Sequence, residues 1–338
     1  MKAAPHRAPR RRALATLGAL ALAACATPRG RPPEAGPVAA MFPGSIDDGG
    51  FAEAGYRGLV RAGAAFDIPV RHVADASTDR ERMLAELRRL AASEATLVIG
   101  FGSAANEPTQ RVAWEYPAQR FVSIQGTLTR PNLAVYAVLP EQPAWLAGAL
   151  AGLLTRTNVV GHLAGERSAL AQQMQAGYAA GLKTAQPQAR LLSTFSGDAG
   201  DGPRAHALAL AQIDAGADVL FTMLGRAESA ATAACRQRGV RQIGSVRDWV
   251  ATDPAAYAAA AVADPGFAVY MAVRDLRDNL LRGDLVRRYG VHYPEAARLA
   301  MGARLPDAAR AGVERYRERI SAGGITIPAR YDGPEFQA

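Results

Sequence analysis

The sequence predicts an α/β protein built as two doubly wound parallel-sheet lobes that face each other across a hinged cleft. Three observations carry this expectation. Short unbroken apolar runs alternate with amphipathic helical patterns, as expected of parallel strands buried on both faces. The alternating series begins near residue 38 and starts afresh near residue 159, so two lobes follow rather than one. No long Gly/Ser linker separates the halves, and several short crossings between lobes make a hinged clamp rather than independent beads.

Taken in order, strands are expected at 38–42, 70–74, 96–100, 121–124 and 133–138, and in the second series at 159–163, 191–195, 219–224, 242–246 and 257–262. Between them lie helical patterns. The clearest spans 78–92, where Thr78 and Glu81 form a capping box and Met83, Leu84, Leu87 and Leu90 recur at helical spacing. Others fall at about 144–155, 167–184, 203–215, 227–239 and 267–282. Leu139-Pro140 runs directly into one helix and Asp264-Pro265-Gly266 into another, which marks both places as crossings. The first lobe is therefore expected to hold 37–139 with about 265–300, and the second 140–264 with about 301–338.

The first 24 residues carry Lys2, Arg7, Arg10, Arg11 and Arg12 and no acid, so they hold five of the eight net positive charges. About +3 is left for the rest, without a basic stripe interleaved with aromatics, which excludes nucleic acid as a partner. The apolar segment 13–24 is too short to span a bilayer as a lasting helix and reads as a signal peptide. It ends Leu22-Ala23-Ala24-Cys25, a bacterial lipobox pattern in which cleavage leaves Cys25 as a lipid-modified first residue. Residues 25–36 then form a Pro/Arg/Gly tether. The expected product is an exported, membrane-anchored envelope protein on the periplasmic face, monomeric and otherwise soluble. Arg11-Arg12 also permits a twin-arginine reading. Cys235 is then a lone thiol in a helical pattern, with neither a disulfide partner nor a ligand cluster, and is expected as a small buried apolar residue.

The most informative stretch is Gly44-Ser45-Ile46-Asp47-Asp48-Gly49-Gly50-Phe51, a glycine-rich turn between a strand and a helix. Turns at the carboxyl ends of strands face ligands in open α/β sheets. Phe51 would be a stacking platform, with Asp48 and then Asp47 accepting hydrogen bonds from a heterocycle. The competing reading is an ordinary turn whose acids cap the helix and whose Phe fills core.

Gly44, Ile46, Asp47, Asp48 and Phe51, with Tyr56-Arg57-Gly58 close behind, resemble the opening motif of the basic membrane protein family, the substrate-binding lipoproteins of ABC transporters that include purine nucleoside receptors. Further matches follow in order: Gly100-Phe101-Gly102-Ser103, Tyr116-Pro117, Ile124-Gln125-Gly126, Gln175-Ala176-Gly177-Tyr178, Gly216-Ala217-Asp218-Val219, Ile243-Gly244 before Asp248, and Ser321-Ala322-Gly323-Gly324-Ile325. The resemblance implies the periplasmic-binding-protein type 1 fold with Rossmann-like lobes, capture of a purine base or nucleoside, and delivery to ABC permease subunits without a cofactor. It implies a ligand set of Phe51, Asp48, Asp47, Gly102, Ser103, Gln125, Gly225, Asp248 and Trp249, with Asp248 holding ribose hydroxyls and Trp249 closing the far face of the ring. Three positions depart from the family pattern: Ala52, Gln125 and Ala263 stand where it favours polar or charged groups. If those groups serve the sugar, a free base is the expected ligand.

Enzyme motifs are missing from the sequence. The histidines at 6, 72, 162, 206 and 292 are scattered, and there is no metal-ligand pair, nucleophile elbow or phosphate loop. No catalytic residue or metal site is therefore assigned. A ligand sensor using the same cleft and, more remotely, a small-molecule hydrolase or deaminase are the alternative readings.

Overall fold

The computed structural model describes residues 36–76 and 79–337. In chain order the first half runs β1 (Val38–Met41), α1 (Phe51–Phe66), β2 (Val70–Val73), α2 (Arg80–Ala91), β3 (Leu97–Phe101), α3 (Asn106–Glu115), β4 (Phe121–Ile124), β5 (Leu133–Val138) and α4 (Glu141–Leu154). The second series is β6 (Val159–Ala164), α5 (Ala169–Ala185), β7 (Arg190–Phe195), α6 (Gly202–Asp214), β8 (Val219–Met223), α7 (Glu228–Arg238), β9 (Arg241–Val246), α8 (Trp249–Thr252) and β10 (Tyr257–Ala263). The chain then continues through α9 (Pro265–Arg277), β11 (Val286–Tyr289), β12 (Ala297–Met301) and α10 (Asp307–Ser321).

These strands form two six-stranded sheets, ordered β2-β1-β3-β4-β5-β11 and β7-β6-β8-β9-β10-β12. Every neighbouring pair is parallel except β10 with β12. Alternate residues of one strand feed opposite faces, which is why an unbroken apolar run is needed. In the first lobe Val38, Ala40, Leu97 and Ile99 pack towards α1 and α9, whereas Ala39, Met41 and Val98 pack towards α2 and α3. In the second, Val219 and Phe221 face the side of α4, α5 and α10, and Leu220 faces α6 and α7. Each lobe is thus a doubly wound α/β layer with its own two-sided core. Cys235 is buried in the second of these, and burial pushes its thiol up to about 12.

The chain passes between lobes three times: after β5, after β10, and between β11 and β12. The third passage lies within 290–296, so residues 297–301 belong to the second sheet rather than to a first-lobe segment reaching about 300. The first and third passages are tied together where Gln142 Oε1 accepts the Val291 N–H at 2.8 Å. At the second, Asp264 caps α9 through the Gly266 N–H at 2.8 Å, with Pro265 at the first helical position.

Two local expectations are corrected. The N-cap of α2 is Asp79, which accepts the Arg82 N–H at 2.9 Å, while Glu81 pairs with Arg80. Thr78 of the expected capping box lies outside the described residues, as do the leader, most of the tether and Cys25. α4 begins at Glu141 rather than 144, because Pro143 falls in its first turn, where a missing N–H leaves no helical bond unmade.

Candidate ligand site between the lobes

The turn from β1 to α1 sets the first wall. Asp48 accepts hydrogen bonds from the N–H groups of Gly50 (2.8 Å), Ala52 (2.9 Å) and Glu53 (3.0 Å). Both carboxylate oxygens thereby satisfy orphan donors at the start of α1, where the helix dipole also favours negative charge. Asp48 is a helix cap that borders the cavity, as the competing reading of the turn required. Asp47 points outwards, its side chain 82% exposed, takes the Ser45 hydroxyl and faces Arg226 of the second lobe at 3.6 Å.

Phe51 opens α1 and is half-buried. Its ring centroid is 4.9 Å from that of Phe101, which in turn lies 4.8 Å from Phe42. The platform is therefore held by core aromatics instead of hanging from a loop. Gly102 follows β3 beside this ring at φ +84°, a backbone conformation that favours glycine; a Cβ there would make only an ordinary contact with Phe51 at 3.6 Å.

In the second lobe Gly225, at φ +51°, comes two residues after the end of β8 and opens a single 3-10 turn that leads into α7. A Cβ on Gly225 would sit 3.0 Å from the Asp48 carbonyl oxygen, so the two lobes meet backbone to backbone here with little room for a side chain, and the positive φ also favours glycine.

Between these turns lies a cavity of about 370 Å³ whose wall includes Phe51, Asp48, Gly225 and Trp249 together with Glu166 and Glu228. A second chamber of about 240 Å³ adjoins it, sharing Gly49, Gly50 and Val246 with the first. This one is strongly polar. Arg57, Arg61, Arg247 and Arg298 line it beside Glu53, Asp248, Asp264 and Glu295. Asp248 caps the short α8 through the Ala251 N–H (3.0 Å) and pairs with Arg298 (2.9 Å).

Trp249 borders the first chamber, but its own partners occupy its ring. It stacks on Tyr257 at 5.3 Å and 23°, carries the Arg247 guanidinium 4.5 Å from its centroid, and donates from Nε1 to the Ser245 carbonyl. Val246, shared by both chambers, has φ +66°, and the Arg247 N–H bonds back to the Ser245 carbonyl across it at 2.8 Å. This γ-turn is strained for a β-branched residue, and such strain collects at ligand clamps.

Other expected residues stand elsewhere. Gln125 lines neither chamber: its Nε2 donates to the Val138 carbonyl (3.1 Å) and its Oε1 accepts the Val138 N–H (2.7 Å), which ties β4 to the end of β5 before the first crossing. Gly102 and Ser103 are likewise outside the walls of both chambers. Ala52 and Ala263 are buried in the first-lobe core.

Sequence reasoning missed Glu228, whose side chain is buried in the wall of the first chamber. Its Oε1 accepts from the Thr222 hydroxyl, from Gln242 Nε2 (3.0 Å) and from the Tyr257 hydroxyl (3.2 Å), and its Oε2 accepts the Leu224 N–H at 3.3 Å. Among the described residues no cation pairs with it, and burial outweighs these bonds and pushes its carboxyl up to about 7. Nothing in Arg226-Ala227-Glu228-Ser229 announces this, because an acid at a helix start reads equally well as an exposed dipole partner. The stretch from Glu166 into the first turn of α5, with Glu166, Ser168, Leu170 and Ala171 in the wall, was also missed.

A family model described as "ABC transporter substrate-binding protein PnrA-like" matches residues 36–293. Among curated proteins, the chain is 24% identical over 314 residues to the CD4+ T-cell-stimulating antigen of Listeria innocua, covering 85% of this chain and 86% of that one. It is 25% identical over 130 residues to the ABC transporter nucleoside-binding protein BmpA of Lactococcus lactis, covering 38% and 37% of the two chains. Among solved structures, an ABC transporter solute-binding protein from Conexibacter woesei superposes with a TM-score of 0.70 at 24% identity, covering 87% of this chain and 98% of the other.

Proposed function

Because the chain belongs to the PnrA-like family of ABC transporter substrate-binding proteins, we propose that it captures a purine nucleoside between its lobes and hands it to permease subunits. The observation that carries this reading is Phe51, braced by Phe101 at the wall of an interlobe cavity whose volume of about 370 Å³ suits a small heterocycle. The adjoining polar chamber offers both guanidinium donors and carboxylate acceptors, a combination that matches sugar hydroxyls. The expectation of a free base is motivated by Ala52, Gln125 and Ala263; none of the three lines a chamber, so none of them argues against a sugar. The Lactococcus relative's nucleoside-binding name supports the same class.

The mechanism is capture and handover. Contacts from both lobes favour the closed clamp only to the extent that ligand binds that form more tightly than the open one. Titration calorimetry with adenine, guanine, xanthine and their nucleosides tests the reading. Nucleosides are expected to bind more tightly than their bases; the reverse order would return the assignment to free bases. Phe51→Ala is expected to weaken binding roughly 5- to 150-fold, the equivalent of about 1–3 kcal/mol of stacking, while the fold persists. Loss of the first lobe's structure in that variant would make Phe51 a core residue instead.

Anchoring belongs to the same proposal. A lipidated Cys25 would hold the monomer at the periplasmic face of the membrane, within diffusion range of its permease. Cys25→Ser is expected to move the protein from the membrane fraction to the soluble one, and unchanged partitioning would count against the lipid anchor.

A further inference from the structure

We infer that residues 334–337 form a strap that positions the cavity-wall segment 165–171, the end of the β6–α5 connection and the first turn of α5, from outside the cleft. β7 is the outer strand of the second sheet, and an unpaired edge leaves a row of backbone groups open. The strap lies along that edge. The Phe336 N–H donates to the Ser193 carbonyl at 2.8 Å, and the Phe336 carbonyl accepts from the Thr194 hydroxyl at 3.0 Å. The Phe336 side chain packs on the core cluster that contains Leu163, Leu192 and Ala205.

One residue earlier, Glu335 reaches the segment before α5 that lines the first chamber. Its carboxylate pairs with Arg167 at two points, Nη1 to Oε1 at 2.5 Å and Nη2 to Oε2 at 2.8 Å. The Arg167 guanidinium also lies 4.3 Å from the ring centroid of Phe195, the last residue of β7. Arg167 stands between Glu166 and Ser168, and both of these line the first chamber, as do Leu170 and Ala171. A chain of contacts therefore runs from Phe336 on the sheet edge, through Glu335 and Arg167, to the cavity wall. An exposed ion pair alone stabilises little, but a two-point guanidinium–carboxylate pair stacked on an aromatic ring fixes geometry. Arg167 and Glu335 act here as positioning residues that do not touch the ligand.

The dissociation-rate part of the test rests on the nucleoside reading, whereas the exchange part does not. In Glu335→Gln and Phe336→Ala, amides of 165–171 are expected to exchange hydrogen about three- to tenfold faster, with the global unfolding midpoint nearly unchanged. Bound guanosine is expected to dissociate faster by a similar factor. The double variant Arg167→Glu with Glu335→Arg should recover much of the protection that Glu335→Arg loses by itself. Unchanged exchange over 165–171 in the single variants, or loss of protection spread evenly over the whole second lobe, overturns the strap. Faster local exchange in a protein that binds no nucleoside sustains the strap and overturns the nucleoside reading.

Discussion

Replacing Asp275 with alanine is expected to lower the unfolding free energy by about 3 kcal/mol, measured by urea denaturation. Asp275 is fully buried in α9 and is the shared acceptor of a first-lobe network. Its carboxylate takes the Tyr136 hydroxyl of β5 at 2.7 Å, Arg287 Nε of β11 at 2.8 Å and Arg274 Nη2 at 3.0 Å. Burial and the adjacent carboxylate hold the Tyr136 hydroxyl firmly protonated, so it remains a donor. Removing the acceptor leaves a buried hydroxyl and two guanidinium groups without their partner. Such losses reach about 3–5 kcal/mol for fully buried pairs. The two arginine side chains are each 36% exposed, so water can recover part of the loss and the lower end applies. The damage should centre on β11, whose amides are expected to lose exchange protection first. Native-like protection of β11 in the variant would show that Asp275 does not hold that strand.

Glu228 should make stability fall as pH rises. Its carboxyl is raised from 4.5 to about 7 by burial, so in the folded protein it keeps its proton where the unfolded chain has already lost it. The stability it contributes is fully present below about pH 4.5, declines through the window up to about 7, and is gone above it. A shift of that size corresponds to on the order of 3 kcal/mol. Thr222, Gln242 and Tyr257 face the carboxyl from β8, β9 and β10, and Cys235 raises it no further because its own thiol stays protonated. Urea unfolding of the wild type and of Glu228→Gln from pH 4 to 8 measures the effect. The wild type's advantage over the variant is expected to shrink across that window, and a constant difference between the two curves would refute the assignment.

The sequence made the buried architecture legible because a strand covered on both faces has to be apolar throughout. β1, β3, β4 and β5 all meet that demand. The elements it hid are those that face water on one side. β11 reads Val-Arg-Arg-Tyr, and its edge position explains the charges; β12 is an antiparallel edge strand of mixed character. α3 is disguised by Pro108 in its first turns and by a largely polar composition. At the site, the motif located Phe51 and the turn around it. It could not say what the acids do, since Asp48 beside a helix start serves as a cap or as a ligand group with the same sequence. Gln125 and Asp248 found partners in Val138 and Arg298, choices set by tertiary contacts across 13 and 50 residues of chain.

The three passages between lobes have a consequence for what counts as a module. β11 and α9 come from beyond the second series, yet they complete the first sheet by pairing with β5 and packing on α1. β12 and α10 complete the second lobe from beyond the first lobe's return segment. No single cut in the polypeptide therefore releases a lobe. Severing the chain at Leu139 would give one piece lacking the last strand of its sheet and another carrying that strand with nothing to pair against. Each piece would need the other as a template. The smallest exchangeable unit of this architecture is accordingly the interleaved pair, and a recombination event that swapped one lobe would have to break and rejoin the chain at all three passages at once.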